Sequence, residues 1–455
     1  MICKDIKNKN IREYQIFFSP ILFRIFLYIL ITIFYYYFMQ TYSPLGIKWR
    51  PYHFERIVNA IENISENSLI NYIGYTSWNS VQEVTNYLEN NIGEIYLVPL
   101  IGYLPQAFLN KLIPNYQLLN LGSFFDYILI SIVGFLVSEI GLYVMEIRNK
   151  FQSLFYGTIL FSLFLTSPWA YRMMIAPWFE VSFLTFYLLS IYFFILNKKY
   201  LGLLFVFLAG LMHWIWIFFL FIFVIFNKII SFFLGNLLEK DYSYRYLQNT
   251  LQNKKGFYLY SLACGMPIVI HGIQLLFLRI MNINHSGSKA LYRIGIDSFN
   301  NIHHGGIIAA LQFLGGSRFS VCFTNSQLDN LSTLEKYISY FNCSSAIASL
   351  FSLSLLSIFG LIVFIKNSKK AKWIFMPLSW SILFYGLLFQ QSFAVHLQGY
   401  SFIFAFIFTI NILYLIIYIE KKIKLPKPIE ILINIPLIIG ILINSIRVSY
   451  LINTI

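Results

Sequence analysis

The chain has 455 residues, of which 58% are hydrophobic and 11% charged, and its 33 basic and 19 acidic side chains leave a net charge of +14. A soluble protein has about a quarter of its residues charged, so this composition excludes an ordinary water-soluble protein. It predicts an integral membrane protein built of helices.

The basic residues gather in short clusters that separate the apolar runs, at positions 4–12, 148–150, 198–199, 228–255, 366–372 and 421–427. Cytoplasmic loops of membrane proteins carry an excess of lysine and arginine. If these clusters face the cytoplasm, they account for the positive net charge. A nucleic-acid partner is therefore not expected.

The apolar runs predict an all-α membrane domain over residues 17–455, preceded by a basic cytoplasmic tail at 1–16. The first run is too long for a removable signal peptide and has no small-residue cleavage site. The stretch 201–234 exceeds one crossing and predicts an out-and-back pair that turns near His213 and Trp214. About eleven crossings result, with the N-terminus inside and the C-terminus outside: 17–42, 118–145, 151–168, 177–196, two within 201–234, 257–281, 346–365, 373–391, 399–419 and 429–447.

Residues 43–114 form the first of two long extracytoplasmic (outer) loops in this topology. Within it, HFERIVNAIENISE has helical periodicity and predicts a helix that lies on the outer membrane surface. Its apolar face is Phe54, Ile57, Val58 and Ile61, and its polar face is Glu55, Asn59, Glu62 and Glu66. Farther on, Pro99 and Pro105 interrupt an apolar run, which favours a bent or re-entrant segment over a straight crossing.

The second long outer loop is predicted at 282–345, where glycines and the run HHGG at 303–306 indicate a loop over the mouth of a cavity. Cys322 and Cys343 both fall in this loop, so a disulfide between them is one hypothesis and two free thiols the other. The sequence contains no CxxC or HExxH pattern, so a dedicated zinc site is not expected.

Polar residues near the outer ends of the crossings are the candidate site residues. Glu55 has two interpretations: a member of a solvated helix face, or a general base or metal ligand beside the membrane, with His53 nearby as a second titratable group. Arg172 lies in the turn SPWAYRMMIAPWFEV and is a candidate phosphate ligand. Glu180 follows in the same turn, where it either favours the positive end of a helix or contributes to the site.

Two further turns contribute candidates. His213 is either an interfacial histidine or part of a cavity lining, and His396 with Tyr400 belongs to the polar turn FQQSFAVHLQGYS. Two charged residues, Arg24 and Glu139, lie inside predicted crossings close to the inner face, where we expect both to snorkel toward water.

The order of these parts resembles the membrane-embedded GT-C glycosyltransferases. The features that match are the first outer loop, the proline-bearing IYLVPLIGYLPQAFLNKL, the turn SPWAYRMMIAPWFEV, and the small-residue run Ala209–His213 before a polar turn. The resemblance covers residues 17–234, about half of the chain, and the turn at 390–400 looks like the late polar turn of such proteins.

This resemblance implies an inverting enzyme that moves a sugar from a polyprenyl-phosphate donor to an acceptor on the outer face, with an early acidic residue as base or as ligand of a divalent cation. The matching stretch reads KWRPYHFER, where Glu55 is the only acid in place of the usual Asp or Asp-Glu pair, and His53 lies beside it. Arg172, Glu180, His213, His396 and Tyr400 become the substrate-binding candidates, and the implied location is a bacterial inner membrane. The alternatives are an envelope polysaccharide polymerase and a transporter, although the two related halves of many transporters are not evident.

Overall fold

A computed structural model describes residues 22–35, 50–66, 74–77, 79–90, 97–112, 118–167, 170, 179–213, 216–218, 220–222, 225, 254–283, 332–367, 397–423, 439–443 and 446. This part of the chain is mostly helical. The first helix, α1, spans Leu22–Tyr35. The elements between it and the long helices are α2 (Arg50–Ser65), β1 (Tyr75–Ser77), α3 (Val81–Asn90), β2 (Leu97–Pro99), a 3₁₀ turn (Leu100–Gly102) and α4 (Leu104–Leu112).

The longer helices follow in chain order: α5 (Leu118–Val144), α6 (Lys150–Leu165), α7 (Phe179–Ile195), α8 (Lys199–Met212), α9 (Lys254–Ile280), α10 (Thr333–Asn367) and α11 (Leu397–Ile423). Two contain stretches long and apolar enough to cross a membrane, Tyr127–Val144 and Lys255–Ile280. The shorter apolar helices are α1, α6 and α8, together with Val181–Ile195, Ser352–Asn367 and Ala405–Ile419.

Each of these apolar helices lies within a predicted crossing or extends beyond it by at most two residues. The described residues leave out the segment 373–391 and most of 429–447 and 214–234. The number of crossings therefore stays a prediction. The described residues are consistent with the all-α class; they also contain a small two-stranded antiparallel sheet of β1 and β2, with Tyr75 opposite Pro99.

One large apolar core joins α5, α6, α7, α8 and α11. Helices α5 and α6 are joined by the short connection 145–149, and Asn149 caps α6 by accepting hydrogen bonds from the amides of Phe151 and Gln152. The two helices pack closely because Gly134 and Gly141 leave room for rings and branched side chains of α6.

Ring and glycine contacts fix the relative directions of the later helices. Phe194 packs against both Gly202 of α8 and Tyr260 of α9, and Gly210 meets Pro267 one level farther along. Helices α8 and α9 therefore run in the same direction, which requires an odd number of crossings between them if both span a membrane.

The same argument applies to α10 and α11. Gly360 meets Asn411, and one turn later Phe364 stacks on Tyr414 with ring centroids 3.7 Å apart. These helices are therefore also parallel. The predicted topology places one crossing between α8 and α9 and one between α10 and α11. The parallel directions of both helix pairs are consistent with this topology.

Helix α2 confirms the helical periodicity predicted for the first outer loop, and Ile61 of its predicted apolar face is buried against protein. Ala60 and Ile61 are buried against Ala107 of α4 and against Tyr103, the residue before α4. Thr76 of β1 donates a hydrogen bond to the carbonyl of Ala60 at 2.7 Å. Of the predicted apolar face, Ile61 is therefore covered by protein and Val58 is half-buried, whereas the side chains of Phe54 and Ile57 lie outside the described residues. The contact of this face with the membrane surface stays a prediction.

The segment with two prolines is broken, as expected. Pro99 ends β2, the 3₁₀ turn follows, and α4 is only 9 residues long. At a rise of about 1.5 Å per residue, α4 is too short to cross a bilayer.

Two helices begin with the same capping arrangement. At α3 the Ser80 amide donates to Glu83 Oε2 at 2.9 Å, and at α10 the Ser332 amide donates to Glu335 Oε2 at 2.9 Å. The serine hydroxyls accept from the glutamate amides in return. This reciprocal capping box starts α10 at residue 333, so the last part of the predicted second loop, 333–345, is helical.

Candidate functional site at one end of the helix bundle

The first outer segment is the described part of the predicted first outer loop, residues 50–66, 74–77, 79–90 and 97–112. It is docked on the C-terminal half of α9. The Tyr75 hydroxyl lies 2.6 Å from Nδ1 of His271, and the two rings meet edge to face. Around this pair, Tyr75 packs with Val84, Tyr87, Leu278 and Ile283. Burial raises the pKa of the Tyr75 phenol well above its usual range, so the phenol stays protonated at neutral pH.

A tight turn brings β1 to α9. Gly74 has φ +87, a left-handed conformation that favours glycine, and a Cβ at this position would lie 2.6 Å from Nε2 of Gln274. Leu100 donates a backbone hydrogen bond to the Gly74 carbonyl at 3.1 Å. The absence of a side chain at Gly74 therefore permits both the turn and the close approach of Gln274.

His213 and His271 lie at the same level of the bundle. Gly210 of α8 meets Pro267 of α9, and the two histidines follow those residues by three and four positions, about one helical turn. The docked Tyr75 is at this level too. One end of the bundle therefore holds the end of α8, the histidine of α9 and the first outer segment.

His213 ends α8, as predicted from the long apolar stretch. The residue is only 7% exposed, and its ring lies edge to face with Phe183 at 5.9 Å and with Trp216 at 6.0 Å between centroids. The histidine is thus enclosed by aromatic rings, and its position relative to the membrane interface stays a prediction.

Helix α2 carries two of the predicted site residues, His53 and Glu55. Both lie in its first half, and only their backbone is described. Glu55 precedes the exposed Glu62 by two turns on the same side of the helix. About 100° around the helix from Glu62, Asn63 is buried and donates to the carbonyls of Asn59 and Asn79 at 2.8 Å.

The other predicted residues are described to different extents. Glu180 lies in the first turn of α7 and Tyr400 in the first turn of α11, both with backbone only. Phe183, three residues after Glu180, touches His213, so the start of α7 meets the end of α8. Arg172 and His396 lie outside the described residues.

The cysteine and metal predictions are only partly covered. Cys322 lies outside the described residues, and Cys343 is in α10 with only its backbone described, so their pairing stays a prediction. Among the described residues, no group of three or more His, Cys, Asp or Glu side chains is arranged to hold a metal ion.

A buried polar network joins α1 to α5 and α6. Arg24 Nη2 lies 2.8 Å from Glu139 Oε1 and 2.9 Å from Oε2, and Nη1 donates to Ser153 at 3.1 Å. Beside them, the Tyr28 hydroxyl and Ser138 Oγ are 2.6 Å apart. Snorkelling was the wrong expectation, because Arg24 is 0% and Glu139 5% exposed and the two charges neutralise each other.

No family model, curated protein or solved structure matches this chain.

Proposed function

We propose that this chain is an inverting, GT-C-like membrane glycosyltransferase that transfers a sugar from a polyprenyl-phosphate donor to an acceptor on the outer face of a bacterial inner membrane. The protein crosses the membrane about eleven times, with its N-terminus inside and its basic clusters on the cytoplasmic side. The donor reaches the site from the lipid, and the acceptor from the outer aqueous side.

The observation that carries this proposal is the docking of the first outer segment on α9 through Tyr75 and His271. This contact holds a folded polar unit, which includes α2 with His53 and Glu55, against the bundle end where His213 lies. An enzyme acting on a lipid-linked substrate needs its polar groups at such a membrane boundary, where the phosphate head group is found.

The proposed roles follow from the chemistry of the transfer. The acceptor hydroxyl needs a base, which Glu55 supplies, with His53 as the nearby titratable group. The polyprenyl phosphate that leaves carries negative charge and needs a cation, which Arg172 supplies. The sugar receives hydrogen bonds or ring contacts from Glu180, His213, His396 and Tyr400. The carboxylates of Glu55 and Glu180 are also of the ligand type that a divalent cation prefers.

The test is transfer of labelled sugar from polyprenyl-phosphate donors by purified protein in lipid. Glu55→Gln should lower turnover by about 10²-fold or more if this carboxylate is the base. Glu62→Gln is the matched control, because Glu62 is an exposed glutamate on the same side of α2 and is given no role. Arg172→Ala should weaken donor binding by about 1.5–3 kcal/mol, the loss of one charge-assisted hydrogen bond.

Full activity of Glu55→Gln would remove Glu55 from the mechanism. Failure of every donor would contradict the proposal itself, and transport of a small solute by the same preparation would favour the transporter. The buried ion pair of Arg24 and Glu139 favours the transporter alternative, because charges inside a membrane often line an ion path. In the glycosyltransferase proposal, this pair holds α1 to α5.

A further inference from the structure

The contact between α10 and α11 contains polar side chains with no role in the proposed transfer. Gly360 allows the two backbones to approach so closely that a Cβ at residue 360 would collide with the Asn411 carbonyl. Asn411 is 0% exposed and lies near the middle of α11, where its neighbours Ile410 and Ile412 are also buried. An amide side chain at this depth requires hydrogen-bond partners.

Asn411 makes no side-chain hydrogen bond within the part of the chain that the structure describes. Both its Oδ1 and its Nδ2 are buried and unpartnered, and so is Oγ of Ser357, which is 1% exposed. Leaving such groups unpaired in an apolar interior is costly, so each calls for an explanation.

The helix register relates the two side chains to the same contact. Ser357 precedes Gly360 by one turn on the buried face of α10, and Gly360 is the residue that meets Asn411. The helices are parallel, and side chains in a helix lean toward its N-terminus. The amide of Asn411 therefore extends from the level of Gly360 back toward the level of Ser357.

We propose that a water molecule binds between α10 and α11 and bridges Asn411 to Ser357. Asn411 offers both donors and an acceptor, and a serine hydroxyl offers one of each. A bare cation would leave the amide donors unpaired, and an anion would leave the amide oxygen unpaired. A neutral molecule that both donates and accepts satisfies both side chains, and the close approach at Gly360 favours the smallest one.

A double-mutant cycle on the midpoint temperature of unfolding tests this site. Asn411→Leu has a similar side-chain size and removes all polar atoms, and Ser357→Ala removes the hydroxyl. If water bridges them, Asn411→Leu should lower the midpoint by about 2 °C or more, and the double variant should lose less than the sum of the single losses.

Thr409→Val is the matched control, because Thr409 is equally buried on α11 but its hydroxyl donates to the Ala405 carbonyl of its own helix at 2.8 Å. Its effect should add to that of Ser357→Ala. A higher midpoint for Asn411→Leu, or additive effects of the Asn411 and Ser357 changes, would overturn the proposal. Should Asn411→Leu fail to fold, the wild-type density decides: a water peak in contact with both side chains supports the site, and its absence in a map that shows other ordered waters overturns it.

Discussion

The buried pair of Arg24 and Glu139 makes the sharpest stability prediction. Glu139→Gln removes the negative charge and leaves the guanidinium buried, with Ser153 and the neutral amide oxygen of the new glutamine as its hydrogen-bond acceptors among the described residues. Removing one member of a buried ion pair costs about 3–5 kcal/mol. The control Tyr28→Phe breaks only the neutral hydrogen bond to Ser138 and should cost about 1 kcal/mol.

The double variant Arg24→Met/Glu139→Leu should be far more stable than Glu139→Gln and close to the wild type. Desolvation of the two charges offsets most of their attraction, and Arg24 Nε has no hydrogen bond to the described residues. The assay is thermal unfolding of purified protein in lipid nanodiscs, compared across the four proteins. A double variant as unstable as Glu139→Gln, or a Glu139→Gln variant no weaker than Tyr28→Phe, would refute the reasoning.

Three further changes probe the packing and the capping of the bundle. Tyr75→Phe removes the hydroxyl that meets the α9 histidine, and faster hydrogen exchange in β1 and α3 is expected. Gly210→Ala places a Cβ 2.5 Å from Pro267 Cγ and should cost about 1–3 kcal/mol. Gly265→Ala is the control, because a Cβ there meets no atom of the described residues within 4 Å, and it should be neutral or mildly stabilising in the same melts. Hydrogen bonds from Ser332 lower the pKa of Glu335. The contribution of this cap to stability is therefore present above the usual glutamate pKa and is lost as the pH falls through the lowered pKa. Hydrogen exchange at the start of α10 should show this pH dependence, and the Glu335→Gln variant should lack it.

Periodicity and proline chemistry predicted several local features correctly. The helical spacing of apolar and polar residues in HFERIVNAIENISE predicted α2, and two prolines predicted the break before α4. The length of the stretch 201–234 predicted the helix end at His213. Each of these features depends on the local chain, which is why a single sequence was sufficient.

Long-range pairings were beyond the same reasoning. Arg24 and Glu139 are 115 residues apart, and each alone fitted the expectation of a charge snorkelling from a helix end. Tyr75 sits in a strand of 3 residues, too short to carry an alternating pattern, and its partner His271 is 196 residues away. Which residues meet across a bundle depends on helix packing, which hydropathy does not encode.

The start of α10 is a different case, because its signal was present in the sequence. Serine followed three residues later by glutamate is a recognised helix start, and Ser332 with Glu335 has that spacing. The predicted second outer loop extends to residue 345 because the apolar run of the next crossing begins at residue 346, and this expectation leaves the capping box out. Recognition of the capping box would have placed Cys343 in a helix.

The placement of the first outer segment opposite the basic clusters underlies the proposed active site, and cysteine accessibility tests it most directly. Ser65→Cys and Asn367→Cys both replace exposed residues, at the end of α2 and the end of α10. A membrane-impermeant maleimide applied to intact cells should label Ser65→Cys above the background of the parent protein and should label Asn367→Cys only after permeabilisation. Labelling of Asn367→Cys in intact cells, with Ser65→Cys protected, would contradict the topology and with it an outer-face site.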